Sequence, residues 1–455
     1  MVFDLAVIGG GPAGYHAAQL AAVSGLKTVL FEKEAIGGTC MNRGCIPAKV
    51  LLHSARLCRD MHSGQVYGVS GSAGIDHASV IARKDRVVKA LGSALLSMEK
   101  RYGVSVVFSA AKLCGARNSG FLIEAGGLEY SAKNVICACG SKNILPNISG
   151  LQESMAGGWA VTSDQLLNSN SVPESLTIIG GGVIGIEFAS YFSAAGTRVS
   201  IIEAADHIGG DIDSDLAVAL RARLEEEGIS VSTGRRVYRL KHGEVHSMTA
   251  DGRVETSSSE MVLICVGRRP DFDGVGIESL GLSPSSIAIS NLSAGVPGIY
   301  FIGDCNGRAM LAGAAYTEAE VAVDNIRKIP SKVNYDLIPS MIFTSPELAC
   351  VGLTEEKAKS RGLDVVSAKV SMNSSGRYMA ENERGKGIIK AVAEVGSGRL
   401  LGVHAFGDYA TEFILAAEIM VDSGYTANRA ARAMYPHPTD SEAMKAVFEE
   451  LAKKI

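Results

Sequence analysis

An α/β fold built on two doubly wound halves is predicted by two observations, and a third sets its scale. An apolar run at residues 3–8 leads into Gly9-Gly10-Gly11-Pro12-Ala13-Gly14, then the helix-forming YHAAQLAAVSG, then a second apolar run, KTVLFE, ending at Glu32. The same strand, glycine turn, helix and strand return in SLTIIGGGVIGIEFASYFSAAGTRVSIIE, every matched position offset by 171 residues. At 455 residues and 47.5 kDa, the chain spans about three typical domain lengths, enough for roughly two to four domains with full cores. Glycine is abundant at 52 residues, but 47% hydrophobic residues and only 12 prolines exclude a disordered or collagen-like chain. The glycines therefore serve local geometry.

In the first copy Gly9 makes the tight turn, Gly11 lets backbone approach a pyrophosphate, and Gly14 permits close helix packing. The helix that follows turns unpaired N–H groups and a positive dipole end toward phosphate. Glu32, at the end of the second strand, is placed to accept hydrogen bonds from a ribose diol. In the second copy Gly180, Gly182 and Gly185 match those glycines, Gly196 matches Gly25, and Glu203 matches Glu32. A lone G-x-G-x-x-G can be an ordinary glycine turn. Two copies in the same setting, each with its acid, predict two bound dinucleotides. Glu203 would hydrogen-bond an adenine-ribose 2′-OH and repel a 2′-phosphate, and Ala204 follows it with no arginine pair, so NAD is favoured over NADP. Arg198, before that strand, reads as a solvated surface residue.

The segment after Glu32, AIGGTCMNRGCIPAKVLLHSARL, places Cys40 and Cys45 five residues apart. In an ideal helix their Cα atoms would lie roughly 8 to 9 Å apart, beyond the ~7 Å limit for a disulfide. A bridge needs a distorted turn, which Gly44 permits. Two free thiols or half of a zinc site are the alternatives, but His53 and Cys58 complete no ligand set. Nearness to a dinucleotide fingerprint favours a reactive pair. The other cysteines, Cys58, Cys114, Cys137, Cys139, Cys265, Cys305 and Cys350, read as ordinary thiols, since an odd count of nine in a long chain argues against a disulfide framework. Near the C-terminus, YPHPTDSE sets His437 between Pro436 and Pro438 with Glu442 five residues on. The prolines fix the backbone, and a carboxylate can hold one ring nitrogen while the other accepts a proton.

Charge narrows the partners. Lys+Arg 44 against Asp+Glu 48 leaves a net −4, scattered along the chain, which argues against nucleic acid or a polybasic membrane anchor. No apolar run approaches the roughly 18 residues of a membrane span. The start MVFDLAVIGGG enters an apolar strand without a charged region or cleavage site, which predicts a cytoplasmic protein.

GGTCMNRGCIPAK resembles the active-site segment of the flavin-dependent pyridine-nucleotide disulfide oxidoreductases, G-G-T-C-x-N-x-G-C-x-P-[SK]-K, and the similarity extends over essentially the whole chain. Ala48 departs where Ser is common, and Arg43 stands where a small or aliphatic residue is usual. The resemblance implies two Rossmann-like dinucleotide-binding domains, for FAD and NAD, plus an α+β C-terminal dimerisation domain. The expected segments are 1–146 and 271–335 for FAD, 147–270 for NAD and 336–455 for the interface, where the apolar helix 411–422 is read as packed or buried in a dimer.

The resemblance also implies roles. Cys45 would face the flavin as the charge-transfer thiolate, and Cys40 would exchange with substrate. Lys49, one turn past Cys45, would reach flavin N5, with Glu187 as its ion-pair partner. Lys33 and Thr39 join Glu32 at the FAD, and Gly115 brings backbone near it. VICACGSKN supplies Cys139, in place of the usual Thr, with Gly140 and Ser141. Asp304, in GIYFIGDC, would bond the ribitol chain. Met310, Leu311, Ala312 and Gly313 would form a backbone loop over the flavin, Gly313 replacing a usual His. On the NAD side Val183, Val237 beside the adenine, and Gly267 of VGRRPD complete the set. His437 and Glu442 fall in a segment similar to the family's H-P-T-x-S-E motif, whose His serves the other subunit's site, so a homodimer with shared active sites is expected. The implied reaction is oxidation of a dithiol by NAD+ through the cysteine pair and FAD. The expected dithiol is carried on lipoyl domains of 2-oxo-acid dehydrogenase or glycine-cleavage complexes. Another disulfide reductase, acting on glutathione, a related thiol or a metal, and a non-catalytic FAD-binding subunit are the alternatives.

Overall fold

The computed structural model describes residues 2–117, 120–285, 292–382 and 385–455. It divides into two compact units. The first comprises 1–50, 81–144 and 267–335, and the second 51–80, 145–266 and 336–455.

In the first unit the strand Val2–Ile8 is the central rung. It pairs in parallel with Thr28–Glu32 on one side and Leu128–Cys137 on the other, and Leu128–Cys137 in turn pairs with Ile299–Phe301. Leu5, Ala6, Val7, Val29 and Leu30 have no exposed surface, as continuous apolar runs in a doubly covered parallel sheet require. The helix Pro12–Val23 begins with proline, whose missing N–H costs nothing in a first turn. Its buried face, Ala13, Gly14, Ala17, Ala18 and Ala21, is small enough to lie close to the sheet. A register shift between Leu113 and Gly115 bends the antiparallel strand Ala111–Arg117.

Beside the three-stranded antiparallel sheet of Arg235–Lys241, Glu244–Thr249 and Val254–Ser258, the second unit carries two five-stranded sheets. One is fully parallel, ordered Ser230–Ser232, Arg198–Ile202, Ser175–Ile179, Met261–Ile264, Ala160–Thr162, with Val183–Ala194 as its glycine-turn helix. The other is antiparallel, ordered Ser340–Ile342, Glu347–Gly352, Leu400–Gly407, Ile388–Glu394, Val365–Ser371. Onto it packs Glu442–Ala452, whose buried residues Ala443, Met444, Val447, Phe448 and Leu451 recur at helical spacing. Ala410–Asp422 buries Ala410, Phe413, Ile414 and Ala417, while Leu415 and Ile419 on its other side are exposed. Among the described residues no helix is long and apolar enough to cross a membrane.

Candidate active site

The two glycine turns have matching geometry. Gly9 has φ +107°, and a Cβ there would fall 2.3 Å from Ala138 O; Gly180 has φ +109°, and its Cβ would fall 2.3 Å from Cys265 O. A Cβ on Gly14 would lie 1.8 Å from Gly9 O, and one on Gly185 2.3 Å from Gly180 O, so any side chain would force helix and turn apart. Gly11 and Gly182 cap their helices with extended backbone and no capping side chain, leaving first-turn N–H groups open for an anion. The acids match as well. Gly10 N donates to Glu32 Oε2 at 2.8 Å and Glu34 N to Oε1 at 2.7 Å; Gly181 N donates to Glu203 Oε2 at 2.6 Å and Ala205 N to Oε1 at 2.7 Å. A carboxylate has about four acceptor sites, so each acid is oriented by backbone with capacity left for ribose hydroxyls. Both cradles thus fit dinucleotides. Arg198 is exposed at its strand end.

Within the first unit two of the residues expected at FAD, Ser141 and Asp304, are joined directly. Ser141 Oγ donates to Asp304 Oδ2. Arg268 clamps the same segment, donating from Nε to Ser141 Oγ at 2.8 Å and from its terminal nitrogens to Ser141 O at 2.7 Å and Asn143 Oδ1 at 2.8 Å. The buried Glu318 accepts from Gly303 N and from Tyr335 Oη at 2.8 Å, tying the Gly303-Asp304 turn to the helix Ala312–Ile326. Leu311 caps that helix, and nothing stands within 4 Å of a Cβ at Gly313. A Cβ on Gly140 likewise meets open space, and one on Gly115 would meet only Ser279 O at 3.8 Å. Gly267 accepts from Ile144 N at 3.0 Å, and Lys33 pairs with Asp271 at 3.9 Å. Cys139 hydrogen-bonds with Cys305, and this bond together with burial pushes the Cys139 thiol well up, so Cys139 reads as an inert thiol.

The cysteine pair straddles a break in the chain. Gly38–Arg43, which includes Thr39, is a short helix; Gly44 leaves helical geometry at φ −145°, ψ −112°; a second helix, Cys45–Ser63, begins at once. Cys40 and Cys45 therefore do not share one regular helix, which removes the spacing obstacle, and their thiols are hydrogen-bonded. That bond, with burial, pushes the Cys40 thiol up, against the pull of Lys49 one turn beyond Cys45. Asn42 pins the short helix through Ile36 O at 3.1 Å and Gly38 O at 2.9 Å. A Cβ on Gly38 would lie 2.6 Å from Gly11 Cα, so the short helix that carries Cys40 starts in backbone contact with the first fingerprint. Arg43 is engaged by Glu34 at 2.5 Å, which answers its positive charge locally. Tyr15 and Tyr316 share a hydroxyl–hydroxyl hydrogen bond, and both phenols are raised by burial first and by the charge of Cys40 in addition.

In the second unit His437 Nδ1 lies 2.9 Å from Glu442 Oε1, and Glu442 Oε2 accepts from Thr439 N at 3.0 Å. The bond from His437, then that from Thr439, holds the Glu442 carboxyl below its ordinary range. A carboxylate facing Nδ1 favours the tautomer with Nδ1–H, leaving Nε2 as acceptor. The imidazole is 78% exposed. Glu187 is buried at 6% exposure in Val183–Ala194 and accepts from Phe343 N at 3.2 Å, so it is not a surface charge. Val183 opens that helix, while Val237 is buried with Ile202 and Val245. Arg268, Tyr316, Glu318 and the buried Asp440 were not picked out from the sequence. Arg268 and Asp440 lie inside quoted motifs, which was the available signal.

Known proteins match the chain over nearly its whole length. Residues 3–319 match the family described as pyridine nucleotide-disulphide oxidoreductase, and residues 338–448 match its dimerisation domain. The chain is 34% identical to the dihydrolipoyl dehydrogenase of Bacillus subtilis, covering 97% of this chain and 96% of that one, and 39% identical to that of Acholeplasma laidlawii over 73% and 99%. It shares the fold of LpdA from Mycobacterium tuberculosis with a TM-score of 0.88 at 24% identity, covering 98% of this chain and 99% of that one. The dimerisation-domain match, with Leu415 and Ile419 exposed on its helix, supports a homodimer. By the extent of these matches, the chain is a member of the pyridine nucleotide-disulphide oxidoreductase family.

Proposed function

We propose that the chain is a dihydrolipoyl dehydrogenase, oxidising the dihydrolipoyl group of lipoyl proteins with NAD+. The observation that carries the reading is the Cys40–Cys45 pair, split at Gly44 and pressed through Gly38 against the first fingerprint, in a chain whose full-length relatives bear that activity. The first unit's residues would hold FAD, and Gly180, Gly182, Gly185 and Glu203 would hold NAD; bound there, the flavin would supply two-electron redox chemistry between the cysteine pair and the nicotinamide.

The chain's own residues manage protons and thiols. His437 Nε2 takes a proton from the substrate dithiol while Glu442 steadies Nδ1–H. A base is needed because a thiol with pKa near ~8.5 supplies few thiolates at neutral pH. Once the pair is oxidised to a disulfide, the substrate thiolate attacks Cys40 Sγ, breaking the bond to Cys45 and leaving Cys45 as thiolate. The second substrate sulfur then displaces Cys40, its proton passing to the departing Cys40 Sγ, and the substrate disulfide closes, so two electrons now reside on the cysteine pair. The Lys49 charge stabilises Cys40 as it leaves. Glu187 is assigned as the counter-charge of Lys49.

The reading divides the chain into FAD segments 1–146 and 271–335, an NAD segment 147–270 and an interface domain 336–455. His437 of each subunit completes the other's site, and its exposure in the single chain supports this. Lipoyl domains of 2-oxo-acid dehydrogenase or glycine-cleavage complexes, in the cytoplasm, are the assigned partners. A steady-state assay tests it: reduction of NAD+ by dihydrolipoamide is expected. Disulfide reduction with NADPH alone, or inactivity with FAD bound, would overturn it.

A further inference from the structure

Between His437 and Glu442 stands a residue the mechanism does not use. Asp440 is 3% exposed, and neither carboxyl oxygen has a hydrogen-bond partner. It belongs to the turn that carries the imidazole. That turn is tied by Thr439 Oγ1 to Pro436 O at 2.8 Å, by Thr439 N to Glu442 Oε2 at 3.0 Å, by Ser375 Oγ to Thr439 O at 2.9 Å and by Ala443 N to Asp440 O at 3.1 Å. The Ser375 hydroxyl bonds the Thr439 carbonyl and pulls the carboxyl down only weakly, less than burial and the facing acids push it up.

The charged surroundings are unfavourable to an anion. Glu381 and Asp408 face Asp440 with like charge, and the facing cation, Arg377, is held by Glu381 at 2.9 Å and stacked on Tyr409. Asp408 is answered by Arg56, with Asp60 adding further negative charge. The Tyr378 phenol also faces both aspartates. On its own turn, His437 and Glu442 are committed to each other. A buried carboxylate without a partner is costly, whereas the neutral acid is tolerated.

We propose that Asp440 is a positioning residue for His437 that works as a neutral carboxylic acid: protonated it seats the turn, and ionised it unseats it. Burial, with Glu381 and Asp408, pushes its carboxyl up to about 6. The turn is then fully seated below about that pH, and the proton is lost as pH rises through it. Because His437 rides on this turn, the rate of the step it serves inherits that titration. The inference rests on His437 acting as proposed above.

The test compares wild-type holoenzyme with Asp440→Asn, which stays neutral at every pH, by dihydrolipoamide kcat/KM profiles and by thermal melts. The folded carboxyl lies above its unfolded value, so the wild type loses stability from the unfolded value upward, fully above the folded one. The melting temperature of Asp440→Asn relative to wild type should therefore be level in acid, rise through pH 4 to 6, and plateau. The ratio of kcat/KM, variant over wild type, should rise through pH 6, with a ceiling of about 10²-fold from a displacement of about two units. A pH-independent melting difference overturns the proposal. A melting difference that titrates while the kcat/KM ratio stays constant also overturns it, since Asp440 would titrate without positioning His437. No dihydrolipoamide turnover in wild type would overturn the activity reading instead, and the melts would still decide whether Asp440 is held neutral.

Discussion

Gly182→Ala separates what the fold forbids from what a bound dinucleotide forbids. At Gly182 the backbone is ordinary for an L-residue, φ −78° and ψ −179°, and a Cβ meets nothing within 4 Å. The cost to the folded chain is confined to replacing glycine by alanine at an N-cap, about 0.5 kcal/mol. That corresponds to roughly 1–2 °C in a domain of this size. The methyl group would, however, occupy the space over the open first-turn N–H groups where a pyrophosphate must lie. Overpacking against a well-fitted group costs about 1–3 kcal/mol, or roughly 5- to 150-fold in affinity. The assay is KM for NAD+ at saturating dihydrolipoamide, beside flavin absorbance and a thermal melt. KM should rise by that factor while flavin content and melting temperature barely move. Gly180→Ala is the contrast, because its φ of +109° and the 2.3 Å approach to Cys265 O should destabilise the unit with no nucleotide present. An unchanged KM for Gly182→Ala would refute the assignment of the second cradle, and a collapse in stability would refute the reasoning about open space.

Three further outcomes are expected. Cys40→Ser and Cys45→Ser should each abolish lipoamide turnover while the flavin spectrum shows FAD retained; residual turnover near wild type would contradict the thiol assignments. His437→Gln should lower turnover by about 10², leaving the flavin spectrum unchanged, and near-normal rates at neutral pH would remove it from the mechanism. Glu203→Ala should raise KM for NAD+, because the ribose loses its acceptor and Gly181 N and Ala205 N lose theirs. KM for NADPH should change little or fall, and an equal rise for both nucleotides would contradict a 2′-hydroxyl contact.

Much of the site was readable because it is written in short-range constraints. A turn that places backbone oxygen 2.3 Å from where Cβ would sit admits only glycine, so Gly9 and Gly180 announce themselves, and spacing alone identifies Gly14 and Gly185. Cys40, Gly44 and Cys45 carried their chemistry in six consecutive residues, although the sequence offered only a distorted turn where the chain in fact breaks into two helices. The prolines around His437 and the nearby Glu442 marked a held imidazole, and the 2.9 Å contact has the expected partner.

Other parts depend on segments distant in the chain. Ser141 meets Asp304 across 163 residues and Arg268 across 127, and nothing in either segment alone states that pairing. Glu187 could have been a surface charge on helical pattern alone; its burial follows from packing. Asp440 is the sharpest case, since an acid in a turn ordinarily points to water. Here the turn is drawn down by Ser375, 64 residues away from its partner Thr439, and the carboxyl goes inside with it. The sequence by itself thus determined the two cradles, the thiol pair and the held histidine, because backbone sterics and bond geometry act over a few residues. Only the tertiary structure decided which charges are buried, which arginine clamps Ser141 and Asn143 and which acid of the histidine turn goes inside, because solvation and pairing depend on neighbours that folding alone brings together.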